Sequence, residues 1–471
     1  MADFTMGTHE KAHKFNLDTQ THGSFAEIGA GQEVARWFFH VGGAARTVAK
    51  SISAYDMAVS DALYGRAQRY VSRQRLNQML DLEYAQLIDG LGPSRGATTT
   101  FFSFADTVAT RRPGHAENGR GWVGLRFQTR PFESPSEIIL HVHLMDTTAA
   151  LQQEALGTLG INLVFGAFYH NAELPVLVNS LMDDLSRDRI EIDVMKVSGP
   201  AFEGADNRLL SLQLVEQGIS DATMFTAAGE VVQVSEVTWK RPILVVRGSF
   251  RPATKLTIDL IDRARERFLA EPEQQGKEPI VLAEMTLDDL GAGSGISHED
   301  FLARAQILHV LGIDVLVTRF NRFYQLAEYL DDYTDQMIGI AVGVPTLRKI
   351  LDEQFCTEVG GGALESVGRL FRRLVKMYVY PTFDAATGRI ITLDDAEVQS
   401  PLHHIRDFLL DQSRLEAIPC PDPEILKIRT PDVRGKIEDG DPSWEASVPP
   451  VVADIVKAQR LFGYREGEAS R

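Results

Sequence analysis

Residues 159–174 read LGINLVFGAFYHNAEL, and residues 311–326 read LGIDVLVTRFNRFYQL. Shifted by 152 residues, five of the sixteen positions are identical and four others exchange one apolar side chain for another. Both stretches lie in runs where strand-like and helix-like segments alternate, so the pair points to an internal duplication of an α/β unit. Two ordinary α/β runs with convergent wording are the alternative, because helix and strand patterns resemble one another readily.

Outward from the first stretch, EIILHVHLMD reads as a strand, ALQQEALGTLG as a helix, INLVFGAFY as a strand and ELPVLVNSLMDDLS as a helix. RIEIDVMKVSG, NRLLSLQLVEQG and DATMFT continue as strand, helix, strand. After an expected hairpin in AGEVVQVSEVTW come PILVVRG as a strand and TKLTIDLIDRARERFLA as a helix. The alternation then restarts at IVLAEMTLD and runs through IDVLVTRF and MIGIAVGV to LVKMYVYP. Strands separated by helices of this length imply parallel βαβ units, since parallel neighbours need a crossover.

The expectation is therefore an α/β protein of two tandem, duplicated, Rossmann-like parallel-sheet units, over 136–275 and 276–415. A flexible arm (1–23) and an α+β region (24–135) precede them, and an extended tail (416–471) with a short C-terminal helix follows. A single eight-stranded β/α barrel is the alternative architecture.

The chain has 471 residues, enough for two to three domains, and carries 48 Lys plus Arg against 65 Asp plus Glu. The resulting net charge of -17 repels nucleic acid and anionic lipid, so neither is an expected partner. No run of about 18 apolar residues predicts a membrane span. The two cysteines, Cys356 and Cys420, have no metal-type spacing. A cytoplasmic protein with reduced thiols is the expectation.

Three stretches carry candidate chemistry. In VVRGSFRPATK a strand ends at Arg247, a loop presents Ser249 and Arg251, and Thr254 caps a helix that has Lys255 in its first turn. Cations and helix N–H groups at the carboxyl end of a parallel strand suit a phosphate or carboxylate, so this is the candidate anion site. Ion pairs with nearby acids are the plainer use of those cations.

In LHVHLMD, His141 and His143 share one strand face, because side chains alternate with a period of two. With Asp146 beyond them, and His170 later, they form a candidate metal site; hydrogen-bonded structural histidines are the alternative. In DDLGAGSGISHED, 288–300, the Lys-Ser/Thr ending of a phosphate-cradling loop is missing, and a helix beginning at Ser297 is expected.

In EIGAGQEVAR, glycines precede a helix whose free N–H groups are suited to an anion. Glu27, Gly29 and Gly31 resemble the first part of the glycine-rich motif of methyltransferases that use S-adenosylmethionine. That resemblance implies cofactor binding at these residues, with Asp56 placed to hold a ribose. The third glycine is absent, and THGSF is polar for a buried first strand; a common helix-entry turn is the other reading. No cofactor is assigned.

Together with VAKSISAYDMAVSDALYG, FFSFADTVAT, LQQEALGTLGINLV and NRLLSLQLV, the run FAEIGAGQEVAR is similar to an uncharacterised family of bacterial proteins of about this length. Such chains carry names such as TonB-dependent receptor or nicotinate-nucleotide adenylyltransferase. The first name is not matched by any series of ten-residue alternating strands. The second implies an early glycine- and histidine-rich phosphate-binding motif, which MGTHEKAH at 6–13 does not reproduce. The resemblance transfers no site residue. The functional expectation is binding of a small phosphorylated or nucleotide-like metabolite, with group transfer as the reaction class. The alternative is a non-catalytic scaffold in which duplicated units and the C-terminal helix build a homo-oligomer.

Overall fold

The computed structural model describes residues 6–112, 114, 117–274, 276–291, 295–352, 359–398 and 402–466. Cys356 lies outside the described residues. The chain divides into two compact units, Met1–Thr223 and Met224–Arg471. The division falls inside a short strand, about fifty residues before the 275/276 boundary expected from the restart of the alternation.

The first unit is built on a six-stranded sheet. In spatial order its strands are β2 (Val48–Ser53), β1 (Thr21–Gly29), β3 (Thr100–Ala109), β4 (Gly119–Phe127), β5 (Ser136–Leu144) and β6 (Ile190–Ser198). β1 runs parallel to β2 and β3, whereas β3/β4, β4/β5 and β5/β6 are antiparallel. The wholly parallel sheet expected from 136 onwards is therefore corrected: only the β2-β1-β3 side is parallel, and residues 136–198 form two antiparallel neighbours.

Helix α1 (Thr8–Leu17) precedes β1, α2 (Gln32–His40) supplies the β1–β2 crossover, and α3 (Met57–Tyr64) and α4 (Arg73–Arg95) lead to β3. α5 (Ala149–Tyr169) and α6 (Leu174–Ser180) link β5 to β6, and α7 (Asn207–Glu216) follows. The strand expected over INLVFGAFY is the second half of α5. Residues Ala155 to Ala167 are buried without a break, and a helix enclosed on all sides loses the polar face that would announce its period. The equivalent IDVLVTRF does form a strand, so the two stretches that suggested a duplication adopt different structures.

α4 covers one face of the sheet: Gly124 of β4 faces Leu76 and Leu80. On the other face Val123, Leu125, Leu140 and Val142 join a core with α5 and α2. Aromatic packing centres on Phe15, whose ring meets Phe102 at 5.6 Å, Phe38 at 5.8 Å and Phe168 at 5.2 Å, all edge-on. Phe15 belongs to the segment read as a flexible arm. α1 is docked because its apolar Phe15 fills the core and because buried Lys11 donates to Asn162 Oδ1 at 2.7 Å and Asp183 Oδ2 at 2.6 Å.

The second unit holds an eight-stranded sheet. Along the chain its strands are β7 (Ala222–Phe225), β8 (Val231–Val232), β9 (Ile243–Arg247), β10 (Ile280–Thr286), β11 (Asp314–Thr318), β12 (Ile338–Gly343), β13 (Val375–Tyr380) and β16 (Leu415–Ala417). The short pair β14 (Thr382–Asp384) and β15 (Arg389–Ile391) stands apart. The spatial order is β16-β13-β12-β9-β10-β11-β7-β8, and β10/β11, β9/β10, β9/β12, β12/β13 and β13/β16 are all parallel. Read from β9 as the first strand, that is the 3-2-1-4-5-6 order of an open, doubly wound α/β sheet. Both sheets are open, and neither closes into the alternative barrel.

Crossovers are made by α9 (Lys255–Leu269), α11 (His298–Val310), α12 (Phe323–Asp331) and α14 (Gly362–Leu370). Shorter helices are α8 (Val234–Thr238), α10 (Leu287–Gly291) and α13 (Val344–Ile350). The expected hairpin in 227–239 shrinks to the β7/β8 pair and α8. Ser297 caps α11 as expected, accepting from Asp300 N at 3.2 Å. α15 (His403–Asp411) precedes β16. The tail is not extended: α16 (Thr430–Asp439) and α17 (Pro450–Gln459) bury Ile437, Val452 and Val456, and Trp444 is buried between them in sequence. No helix among the described residues is long and apolar enough to cross a membrane.

Lys11→Ala strands the Asn162 amide oxygen and the Asp183 carboxylate beside an emptied site. Breaking a largely buried pair from one side costs about 3 kcal/mol, so urea unfolding should show a loss of that order. A change below about 0.5 kcal/mol, the level of a surface substitution, would show that the Lys11 contacts add nothing to the docking of α1.

Candidate functional site

Ligands of doubly wound sheets bind outside the carboxyl ends of the strands, where the order reverses. Here that switch point lies between β9 and β12. The loop leaving β9 is the stretch Arg247–Thr254, and α9 begins directly after it. The loop turns tightly, with buried Phe250 at φ +47, a conformation that bulky residues rarely adopt. Thr254 caps α9, its hydroxyl accepting from Thr257 N at 3.4 Å. Lys255 is exposed.

The two arginines are not free to clamp an anion. Arg247 makes a two-pronged pair with Glu284 at the end of β10, Nε to Oε2 at 2.5 Å and Nη2 to Oε1 at 2.8 Å. Thr318 at the end of β11 donates to the same carboxylate at 2.6 Å. The Arg247 guanidinium also lies over the Phe323 ring, 4.2 Å from its centroid. Arg251 pairs with Asp300 of α11, which Arg304 shares. Arg304 further donates to the carbonyls of Ser249 at 3.2 Å and Asp289 at 3.0 Å. The loop is thus bound to α11, and its charges are internally balanced.

Beside it a pocket of about 120 Å³ is lined by Asn321, Arg322, Phe323 and Tyr324 at the start of α12, Thr346, Lys349 and Ile350 of α13, and Ser366. Lys349 is exposed and pairs with no carboxylate among the described residues. Phe323 connects this pocket to Arg247. Sequence reasoning missed Glu284, Arg322 and Lys349. Glu284 carried a signal, an acid inside the apolar run IVLAEMT.

The glycine-rich stretch of the first unit lies in a true β1-α2-β2 parallel crossover. Its glycines serve the chain itself. Gly29 has φ +104, and a Cβ there would come within 2.0 Å of Val108 O. A Cβ on Gly31 would stand 1.7 Å from Asp106 Oδ2. Asp56 caps α3, accepting from Ala58 N at 2.8 Å and Val59 N at 3.2 Å. Glu27 is registered opposite Asp106 on β3. Ser53 donates to Glu27 Oε2 at 3.0 Å, but Glu27 Oε1 and both Asp106 oxygens have no hydrogen-bond partner. Burial pushes Glu27 up to about 7. Burial, then the charge of Glu27, holds Asp106 well above the usual carboxylate range.

The structure brings His141 and His143 to one carboxylate, but that of Asp193 on β6. Asp146 instead accepts from Arg189 at 3.0 Å. His170 ends α5 and has its pKa lowered by burial and then by Lys11.

No protein-family model and no curated protein matches the chain. Among solved structures it is similar to the competence/damage inducible protein CihA from Agrobacterium tumefaciens, at 21% identity over 35% of this chain and 98% of that one, with a TM-score of 0.25. It is also similar to a nicotinic acid mononucleotide adenylyltransferase from Plasmodium falciparum complexed with APC, at 10% identity over 48% of this chain and 98% of that one, with a TM-score of 0.30. A competence or damage-inducible protein from Enterobacter asburiae is 12% identical over 34% of this chain and 98% of its own, with a TM-score of 0.24. Each likeness is partial, and what those proteins bind is a property of theirs.

The Glu27–Asp106 pair has a pH signature. A carboxyl raised from 4.5 to about 7 on folding stays protonated in the native state while the unfolded chain releases its proton. Stability should therefore be fully present below about pH 4.5 and decline as pH rises towards 7. Glu27→Gln should flatten that decline in denaturant titrations at pH 5, 6 and 7.5. An unchanged slope would remove Glu27 as its source.

Proposed function

We propose that the second unit binds a small phosphorylated or nucleotide-like metabolite at its switch point, with the anionic group in the pocket lined by Arg322, Thr346, Lys349 and Ser366. The observation that supports this is the parallel order β11-β10-β9-β12-β13-β16, which gathers the carboxyl ends of the strands at one rim. The inference from rim to ligand is an analogy of fold, and the side chains make it specific.

Two cationic side chains, Arg322 and Lys349, and three hydroxyl-bearing ones, Tyr324, Thr346 and Ser366, line the pocket. They offer donors of the kind that phosphate oxygens accept, and Lys349 supplies a point charge. The volume decides how much of the ligand enters. About 120 Å³ takes a phosphate or carboxylate group, whereas drug-sized ligands need several hundred Å³. The rest of the metabolite would lie along the rim, with Phe323 backed by Arg247 as an aromatic surface beside it. Arg247 and Arg251 act in this reading as positioning residues that shape the rim. The chemistry at hand is anion recognition, and the reaction class stays open to group transfer.

The test is thermal unfolding of the full chain with a panel of nucleotides, phosphorylated metabolites and inorganic phosphate. A ligand at a hundredfold excess over its Kd should raise Tm by roughly 5 °C, and Lys349→Ala should abolish most of that rise. The absence of any shift with a folded protein, or a shift that survives Lys349→Ala and Arg322→Ala alike, would overturn the proposal.

A further inference from the structure

The first unit contains a second constellation that neither the glycine loop nor the switch point uses. On β5, His141 and His143 point to the same face of the sheet. β6 runs antiparallel beside it, with His141 opposite Val194 and Val142 opposite Ile192. Asp193 is the extra residue of a bulge at that step, and a bulge re-aims a side chain that plain alternation would direct elsewhere. Its carboxylate bridges both rings: His141 Nδ1 to Oδ1 is 2.6 Å and His143 Nε2 to Oδ2 is 3.0 Å.

We propose that His141, His143 and Asp193 are the protein ligands of one divalent transition-metal ion, with zinc the ion best matched to the donor set. Two imidazoles and a carboxylate are a ligand combination of zinc and of non-haem iron. One donor atom from each residue lies within 4.8 Å of the others. In a tetrahedral site with bonds of about 2.0–2.1 Å, ligand atoms stand roughly 3.3 Å apart. Small side-chain rotations therefore suffice to admit the ion.

Three further observations favour an ion here over a solvated surface cluster. The side chains of His141 and Asp193 are each 5% exposed, and a carboxylate so buried needs a cation or several donors. The ring protons of the two histidines meet that need in the metal-free protein, and a metal ion would meet it by replacing them. All three ligands come from paired strands rather than loops, so their spacing is set by the sheet. Trp122, opposite His141 on β4, packs edge-on against its ring at 4.8 Å and limits its rotation. The His143 side chain is 16% exposed, which leaves one side for water as a fourth, exchangeable ligand, the arrangement of three-ligand zinc sites.

Other histidines compete for added metal. His9 and His13 are four residues apart on α1, one turn of helix, and the rings of His403 and His404 lie 3.8 Å apart. The experiment therefore compares variants of the full chain after dialysis against a chelator. Zn²⁺ binding is followed by calorimetry, and Co²⁺ binding by the visible absorption of a four-coordinate ion. One ion per chain is expected, with affinity lowered more than about tenfold by His143→Gln and by Asp193→Asn and unchanged by His9→Ala or His403→Ala. Should Asp193→Asn not fold, His143→Gln, at the most exposed of the three positions, decides alone. Affinity that survives His143→Gln, affinity lost in His9→Ala or His403→Ala, or a folded chain that takes up no ion would overturn the assignment.

Discussion

One wholly buried carboxylate organises the rim of the second unit. Glu284 lies near the end of β10, between β9 and β11, and it takes two hydrogen bonds from Arg247 of the first and one from Thr318 of the second. Three neighbouring parallel strands are thereby pinned at one level. Parallel strands hold one another through their backbones along their length, but the level at which they stop is set by side chains. Because Arg247 is held there, its guanidinium lies over the Phe323 ring, and Phe323 begins α12. From a single buried charge the geometry passes to the helix start and then to the pocket wall.

The same economy appears in the loop after β9. Asp300 and Arg304 of α11 tie down Arg251 and the Ser249 carbonyl. The cations that the sequence offered as ligand groups are instead paired with carboxylates of β10 and α11. The first unit inverts this arrangement. Glu27 and Asp106 are buried with oxygens that no donor satisfies, and Gly31 above them has no room for a side chain because the loop lies on Asp106. There no cation pairs with either carboxyl, and burial raises the pKa of both.

Much of the second unit was legible in the sequence. ILVVR, IVLAEMT, IGIAVG and VKMYVY are apolar runs of strand length bounded by turns and separated by amphipathic helices, which is how strands buried on both faces read. Where burial is complete in a helix, the same reasoning failed: nothing in INLVFGAFY separates a strand from the inner half of α5. The arm was misread for the opposite reason. α1 is mostly polar, and Thr8, Lys11, Phe15 and Asn16 dock it through partners remote in sequence, those of Lys11 and Thr8 lying 151 to 176 residues away. Of the candidate sites, His141 and His143 were found by their spacing, but the third partner was assigned to the nearer Asp146. Proximity along the chain favoured that residue, while the sheet brought in Asp193. Lys349 and Arg322 gave no local signal at all, because their meeting is a product of strand order.

The irregularity in β6 has a consequence for how that strand tolerates change. Inward-facing residues there are Ile190 and Ile192 before the step, and Met195 and Val197 after it, so the even-numbered phase gives way to the odd. Excising Asp193 would bring both halves into a common phase with Ile190, Ile192, Met195 and Val197 still facing inward, while taking the acid away from the two rings. A core indifferent to that residue, and a polar trio wholly dependent on it, are separable by a single codon.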